Sequence, residues 1–458
     1  MMKANLRFWV LTVPFLCIAC AGNVMTNESV VGTHSATQTA SVVKIVKNAT
    51  AYQLTVNGKP YQVKGVGLNY PEGHDFEALK QTGGNTFRTW SSQYADLELA
   101  AAKKHGLMVA MGFDLQKELH GFDYNNEAAV AKQFADFKQV IQKYKNHPNL
   151  LAWVIGNEPN LLLDEKGGLK MVNPKVYEAL SDMIDYVHAV DPNHPVTYSF
   201  AGVIPEHIHT AMQYTPQVDF ISVQVYADVA GVNTAYANLN IDKPFMVTEF
   251  GPVGHWERPP TAWGREIEEP SSVAAAGMAE RIRTGLHGNK GGKNIGTFAF
   301  LWGQKQERTP TWYSMFHKDG SQTERIDELT KYWTGEYPAN RAPQVHAINI
   351  NGILPEQNIY LKPGQNSLAL VKHNEPDGDP VTCNWVIMKE VDERSDGGAF
   401  EKEPEEVAFA INEKESNCQQ GKLAFVVPEK TGDYRLFVYI YDGKGKVGYA
   451  NAPLFVKP

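Results

Sequence analysis

From about residue 60 to residue 335, short apolar runs alternate with segments of helical periodicity. The runs lie at 61–69, 85–91, 107–114, 150–157, 195–203, 218–226, 244–249 and 296–302. Each is close to continuously apolar, the pattern of a strand buried on both faces of a parallel sheet. The segment 94–105 between two of them carries Leu97, Leu99 and Ala102 and stops at Gly106. Asn173 and Pro174 give an N-cap and a first-turn proline ahead of Val176, Leu180, Met183, Ile184 and Val187, and Asp191-Pro192 ends that helix. Eight strand–helix units predict an α/β chain folded as a (β/α)8 TIM barrel over residues 42–338. Ahead of it, 52–56 and 61–63 flank Asn57-Gly58, a hairpin signal, and the hairpin is expected to plug the barrel floor.

After Tyr337-Pro338 the helical pattern stops, and residues 339–458 read as a small all-β sandwich. Its predicted strands are 345–350, 368–371, 382–388, 423–427, 434–441 and 453–456. Asp377-Gly378-Asp379-Pro380 ahead of Val381-Thr382-Cys383-Asn384-Trp385 resembles bacterial immunoglobulin-like and polycystic-kidney-type modules. The stretch 390–406 holds eight acids against Arg394 and Lys402 and is expected to be a solvated loop.

At the other end, Lys3 and Arg7 precede an apolar run at 8–19, the length of a signal-peptide core and too short to span a bilayer. Cys17-Ile18-Ala19-Cys20 resembles a bacterial lipoprotein box, departing from it at Cys17, where Leu is usual. That resemblance implies a signal peptide at 1–20 and a lipid on Cys20, whereas Ala19-Cys20-Ala21 would be an ordinary secretory cleavage site. Residues 21–41, rich in Ser, Thr, Asn and Ala, read as a flexible tether. The expected location is the cell envelope of a bacterium, lipid-anchored at the outer membrane or otherwise periplasmic or secreted, with membrane contact only through the lipid. Cys383 and Cys418 are the two remaining cysteines, and in an oxidising compartment they can close one disulfide; two buried thiols are the alternative.

With 458 residues, 43% hydrophobic and 21% charged, the chain is able to bury a large core, which excludes disordered and low-complexity classes. The net charge of −8, with no stripe of Lys and Arg, argues against nucleic acid as a partner. Aromatic residues at 11% suit a protein that stacks against flat apolar faces.

In a barrel of this kind chemistry sits where the strands end, because the βα loops converge there. The fourth run ends Gly156-Asn157-Glu158-Pro159 and the seventh ends Thr248-Glu249-Phe250-Gly251. Each sets a carboxylate straight after apolar residues, where burial and a neighbouring like charge raise a carboxyl pKa. Two carboxylates in distinct surroundings at one mouth are what glycosidic cleavage needs.

These strand ends resemble the retaining glycoside hydrolases of clan A, with wording closest to the barrels of families 2 and 5. Arg88 at the end of run two, Tyr226 at run six and Trp302 at run eight match the clan's arginine, tyrosine and sugar-platform tryptophan. The resemblance implies Glu249 as nucleophile, Glu158 as acid/base, Asn157 as partner of a sugar 2-hydroxyl, and Arg88 and Tyr226 as supports of Glu249. It implies sugar contacts from Trp302, and further candidates are Trp90, Trp256, Trp312 and Tyr313, while Trp153 reads as core. It implies no cofactor. His207, His209 and Glu206 are too poor a ligand set for zinc, so no metal is assigned. The expected partner is a β-linked glycan, with β-glucan the first guess. A transglycosylase would use the same residues, and a non-catalytic glycan-binding barrel would lack one carboxylate. The oligomeric state is not set by the sequence.

Overall fold

A computed structural model describes residues 39–49, 51–68, 75–286 and 292–458. The signal peptide, the lipidation at Cys20 and nearly all of the tether at 21–41 fall outside the described residues.

Eight parallel strands close into a barrel. In chain order they are Val63–Gly67, Thr86–Arg88, Met108–Gly112, Leu150–Asn157, Val196–Ala201, Ile221–Gln224, Phe245–Phe250 and Asn294–Ala299. Strand eight pairs with strand one, which completes the ring. Strand four shows why these strands read as unbroken apolar runs. All of its residues are buried except Asn157, because one face meets the barrel interior and the other the surrounding helices. The helix Ala95–His105 ends where Gly106 takes φ of +64° and returns its N–H to the Ala102 carbonyl, a left-handed cap that glycine adopts without steric cost.

An antiparallel sheet of Val43–Asn48, Ala51–Val56 and Lys59–Pro60 precedes the barrel. Val43 and Leu54 join Val63, Met108, Leu151, Phe220, Met246 and Phe298 in one buried cluster, so this sheet covers the bottom of the barrel. The expected hairpin is present, with its return arm at Lys59–Pro60 rather than at 61–63, and the strand Val43–Asn48 ahead of it was not anticipated.

The C-terminal region is two sheets. One joins Gln344–Ile350, Asn366–Asn374 and Lys422–Val426. The other runs in the order Ile359–Leu361, Val447–Val456, Gly432–Tyr441, Thr382–Lys389 and Glu406–Val407. Alternate residues Leu436, Val438 and Ile440 face the three-stranded sheet through a core that includes Val345, Ile348 and Phe425. The opposite face is buried as well. Phe437, Tyr439 and Tyr449 form a second cluster, and the Tyr449 hydroxyl donates to Thr311 O at 3.1 Å in the loop after strand eight. Arg325 is buried beside it and donates to the carbonyls of Thr311 and Trp312 at 3.1 Å each. The barrel therefore takes the place of solvent on that sheet, and Thr39–Pro458 forms one compact unit. Cys383 and Cys418 are joined by a disulfide with a Cα–Cα distance of 5.5 Å. Among the described residues no helix is long and apolar enough to cross a membrane.

Candidate active site

Strand seven delivers Glu249 to the C-terminal mouth, where it is only 5% exposed. Four donors converge on its carboxylate. Oε1 accepts from the Trp90 indole N–H at 2.6 Å, from Gln224 Nε2 at 2.9 Å and from Arg88 at 3.3 Å. Oε2 accepts from the Tyr226 hydroxyl at 3.0 Å. This ring of donors suits an oxygen that carries negative charge.

Arg88 ends strand two and is fully buried. One arm of its guanidinium reaches Glu249 and the Thr248 carbonyl, and the other donates to Asn157 Oδ1 at 3.1 Å. Gln224 Nε2 lies 2.5 Å from that same Asn157 oxygen. With Oδ1 taken by two donors, the amide N–H groups are what Asn157 has to offer an approaching hydroxyl.

Glu158 follows strand four with φ of +52°, a region that non-glycine residues seldom occupy and that is held only where the surroundings over-determine it. Its backbone N–H donates to Ser199 O at 2.8 Å and its carbonyl accepts from Leu161 at 3.0 Å, which fixes the turn. The nearest cation is Lys117, 3.9 Å from Oε2. Burial pushes the Glu158 carboxyl up to about 7; Lys117 and Arg88 oppose the shift, and the charges of Glu249 and Glu307 add to it. The two glutamates thus sit in contrasting surroundings, one ringed by donors and one held back from ionising.

A third buried carboxylate stands nearby. Burial works against ionisation of Glu307, but His255 at 3.6 Å and Lys305 at 2.5 Å outweigh it and hold the carboxyl down to about 2.

The structure brings Glu158, Glu249, Arg88, Asn157, Tyr226 and Trp90 together. Trp302 requires a correction. Expected as an open sugar platform, it has no exposed surface: its indole N–H donates to Asp75 O at 3.2 Å and its ring lies edge-on to Phe316. The chain beyond strand eight turns back so that the Trp302 N–H bonds Gly67 O at 2.8 Å, which carries the side chain into the core. Trp312 and Tyr313 are also buried, packed with Tyr226 and Phe300 behind Glu249, and Trp153 is core as read. Trp90 has a polar task as well as an apolar face. Trp256 remains 60% exposed, with its ring edge-on to Tyr226 at 5.3 Å.

Gln224, Lys117 and Glu307 were not anticipated. For Gln224 a signal existed, since Ser222 and Gln224 alternate with Ile221, Val223 and Val225 and so share the inward face of strand six. Lys117 and Glu307 lie in loops, where nothing local marks them.

Residues 49–255 match the family described as glycosyl hydrolases family 2, TIM barrel domain. That span holds all six of the residues that cluster at the mouth. A β-glucuronidase of Chlorocebus aethiops is 26% identical over 254 residues, covering 48% of this chain and 36% of that protein. The β-glucuronidase of Homo sapiens is 26% identical over 195 residues, covering 39% and 27%. The chain thus spans about a third of the length of these curated relatives. Among solved structures, the Bifidobacterium dentium β-glucuronidase complexed with coumarin-3-O-glucuronide is similar with a TM-score of 0.50 and 19% identity, covering 65% of this chain and 50% of that one. The clan A likeness of the barrel is therefore carried by sequence and by fold.

Proposed function

We propose that this chain is a retaining β-glycosidase in which Glu249 is the nucleophile and Glu158 the acid/base. The observation that carries the reading is the opposed surroundings of the two carboxylates at the ends of strands seven and four. Glu249, held in a fixed orientation by Trp90, Gln224, Arg88 and Tyr226, attacks the anomeric carbon and forms a glycosyl ester. Glu158, kept protonated up to about pH 7 by its burial, delivers its proton to the departing oxygen. As a carboxylate it then takes a proton from the water that opens the ester. Asn157, locked by Arg88 and Gln224, presents its amide to the sugar 2-hydroxyl, a contact that strengthens as positive charge develops at the neighbouring carbon.

A β-glucuronide replaces β-glucan as the first substrate to try. What supports it is the activity for which the relatives are named. The test is turnover of a panel of 4-methylumbelliferyl β-glycosides (glucuronide, glucoside, galactoside and mannoside), with the product followed by proton NMR from the first minute. Initial release of the β-anomer is the expected result. Initial release of the α-anomer would overturn the double displacement, and no turnover of any member would overturn the glycosidase reading. A preference for the glucoside over the glucuronide would return the substrate to a neutral glycan.

A further inference from the structure

The acidic stretch expected to be a solvated loop is instead fixed to the barrel mouth on two sides. On one side it is held by the loop after strand eight. Arg308 donates from its guanidinium to Ser395 O at 2.8 Å and to Glu401 Oε2 at 2.9 Å, and from its backbone N–H to Glu401 Oε1 at 2.6 Å. Gln306 reaches that same oxygen at 3.0 Å, and Lys305 donates to Gly398 O at 3.1 Å. The Glu401 side chain has no exposed surface.

On the other side stand the loops after strands three and four. Lys117 Nζ lies 3.5 Å from Gly397 O. Gly397 has φ of +63°, and a Cβ there would come within 2.9 Å of Leu161 and 3.0 Å of Leu119. Strand four stands opposite strand eight in the closed ring, so residues 395–401 bridge the mouth.

Lys117 ties this bridge to the chemistry, since the same ammonium lies 3.9 Å from Glu158. Glu158 gives its proton to the departing oxygen, so the groups beside it line the path of the leaving group. Within the bridge, between the anchored Gly398 and Glu401, Phe400 is 89% exposed. Its neighbours are spent on anchoring and its ring is not spent on packing.

We infer that residues 395–401, supplied by the β-sandwich, wall the leaving-group side of the cleft, and that Phe400 is their contact for a flat or sugar-sized leaving group. The inference rests on the glycosidase reading above and extends it to specificity. Its chemical ground is that an aromatic face gains from stacking on a ring and gains nothing from a fluoride.

The experiment compares kcat/KM for a 4-methylumbelliferyl β-glycoside with that for the β-glycosyl fluoride of the same sugar, using the full chain. In Phe400→Ala the ratio of the two falls at least five-fold, and Phe400→Tyr restores it. Because Phe400 is exposed, the substitution leaves the thermal unfolding midpoint in place, and that measurement accompanies the kinetics. An unchanged ratio, or an equal loss on both substrates, would overturn this inference while the glycosidase reading stood. No wild-type turnover of either substrate, for any sugar of the panel, would overturn both.

Discussion

The indole N–H of Trp90 donates to Oε1 of Glu249 at 2.6 Å, while the guanidinium of Arg88 lies 5.2 Å from the Trp90 ring centroid. One side chain therefore joins a cation to a carboxylate through its face and its edge. Tryptophan can do both, because its ring carries a π face and an N–H donor at its edge.

Replacing Trp90 by Phe keeps the apolar face and deletes the donor. A hydrogen bond to a charged group contributes roughly 1.5–3 kcal/mol, so kcat/KM should fall about 10- to 100-fold with the protein still folded. Steady-state kinetics on an aryl β-glycoside check it. If Phe served as well as Trp, the indole would be a stacking surface alone.

The pH profile follows from Glu158. In the proposed mechanism its acid form is the active one in the first step, and burial raises its pKa to about 7. For a glycoside with a poor leaving group, kcat/KM should hold below that value and fall about ten-fold per pH unit above it. Lys117 opposes the raised pKa, so Lys117→Met should move this limb to higher pH. A limb that stayed in place, or moved to lower pH, would show that Lys117 has no electrostatic hold on the acid.

Glu98 offers a test away from the cleft. It is 2% exposed on the helix Ala95–His105, and burial pushes its carboxyl up to about 8. A folded-state pKa raised above the unfolded value means that stability is highest below about pH 4.5 and is lost as pH rises toward 8. Glu98→Gln removes the ionisation while keeping the volume. The variant should match the wild type near pH 4 and exceed it by roughly 2–4 kcal/mol near pH 8. Thermal or urea unfolding at the two pH values measures the difference, and an equal gap at both would refute the assignment.

The parallel barrel was legible because strands buried on both faces leave an uninterrupted apolar run, and the chain repeats that signature eight times. The strand ends were legible for the same reason: a polar residue such as Arg88, Asn157 or Glu249 stands out against the run it terminates. What escaped the sequence is long-range pairing. Glu401 finds Arg308 93 residues away and Glu390 finds Arg435 45 residues away, and no local pattern separates such acids from solvated ones. Trp302 misled because strand eight ends at Ala299, three residues earlier than the apolar run suggested, which leaves Trp302 in the loop beyond it. There the backbone closes on Gly67 and carries the side chain into the core. Gln224 was within reach, since its alternation with Val223 and Val225 placed it inward beside Ser222.

The division of labour between the two glutamates is the deepest test of the site. In the proposed mechanism Glu249→Ala removes the nucleophile, so no ester forms and activity on every glycoside should be lost. Glu158→Ala should behave differently. An aryl leaving group of low pKa needs little protonation, so the ester still forms, but water then lacks its general base and the second step limits turnover. General acid–base help is worth about 10²–10⁴-fold, so the deficit should be large. Azide needs no deprotonation, and adding it should restore the rate of Glu158→Ala and give the β-glycosyl azide, because it enters on the face opposite the ester. With Glu249→Ala, azide attacks the substrate itself in the space the carboxylate vacated, and the product should be the α-azide. Proton NMR of the azide products distinguishes the two. The reverse pattern would exchange the roles assigned to strands four and seven, and full activity in both variants would remove the chemistry from this mouth altogether.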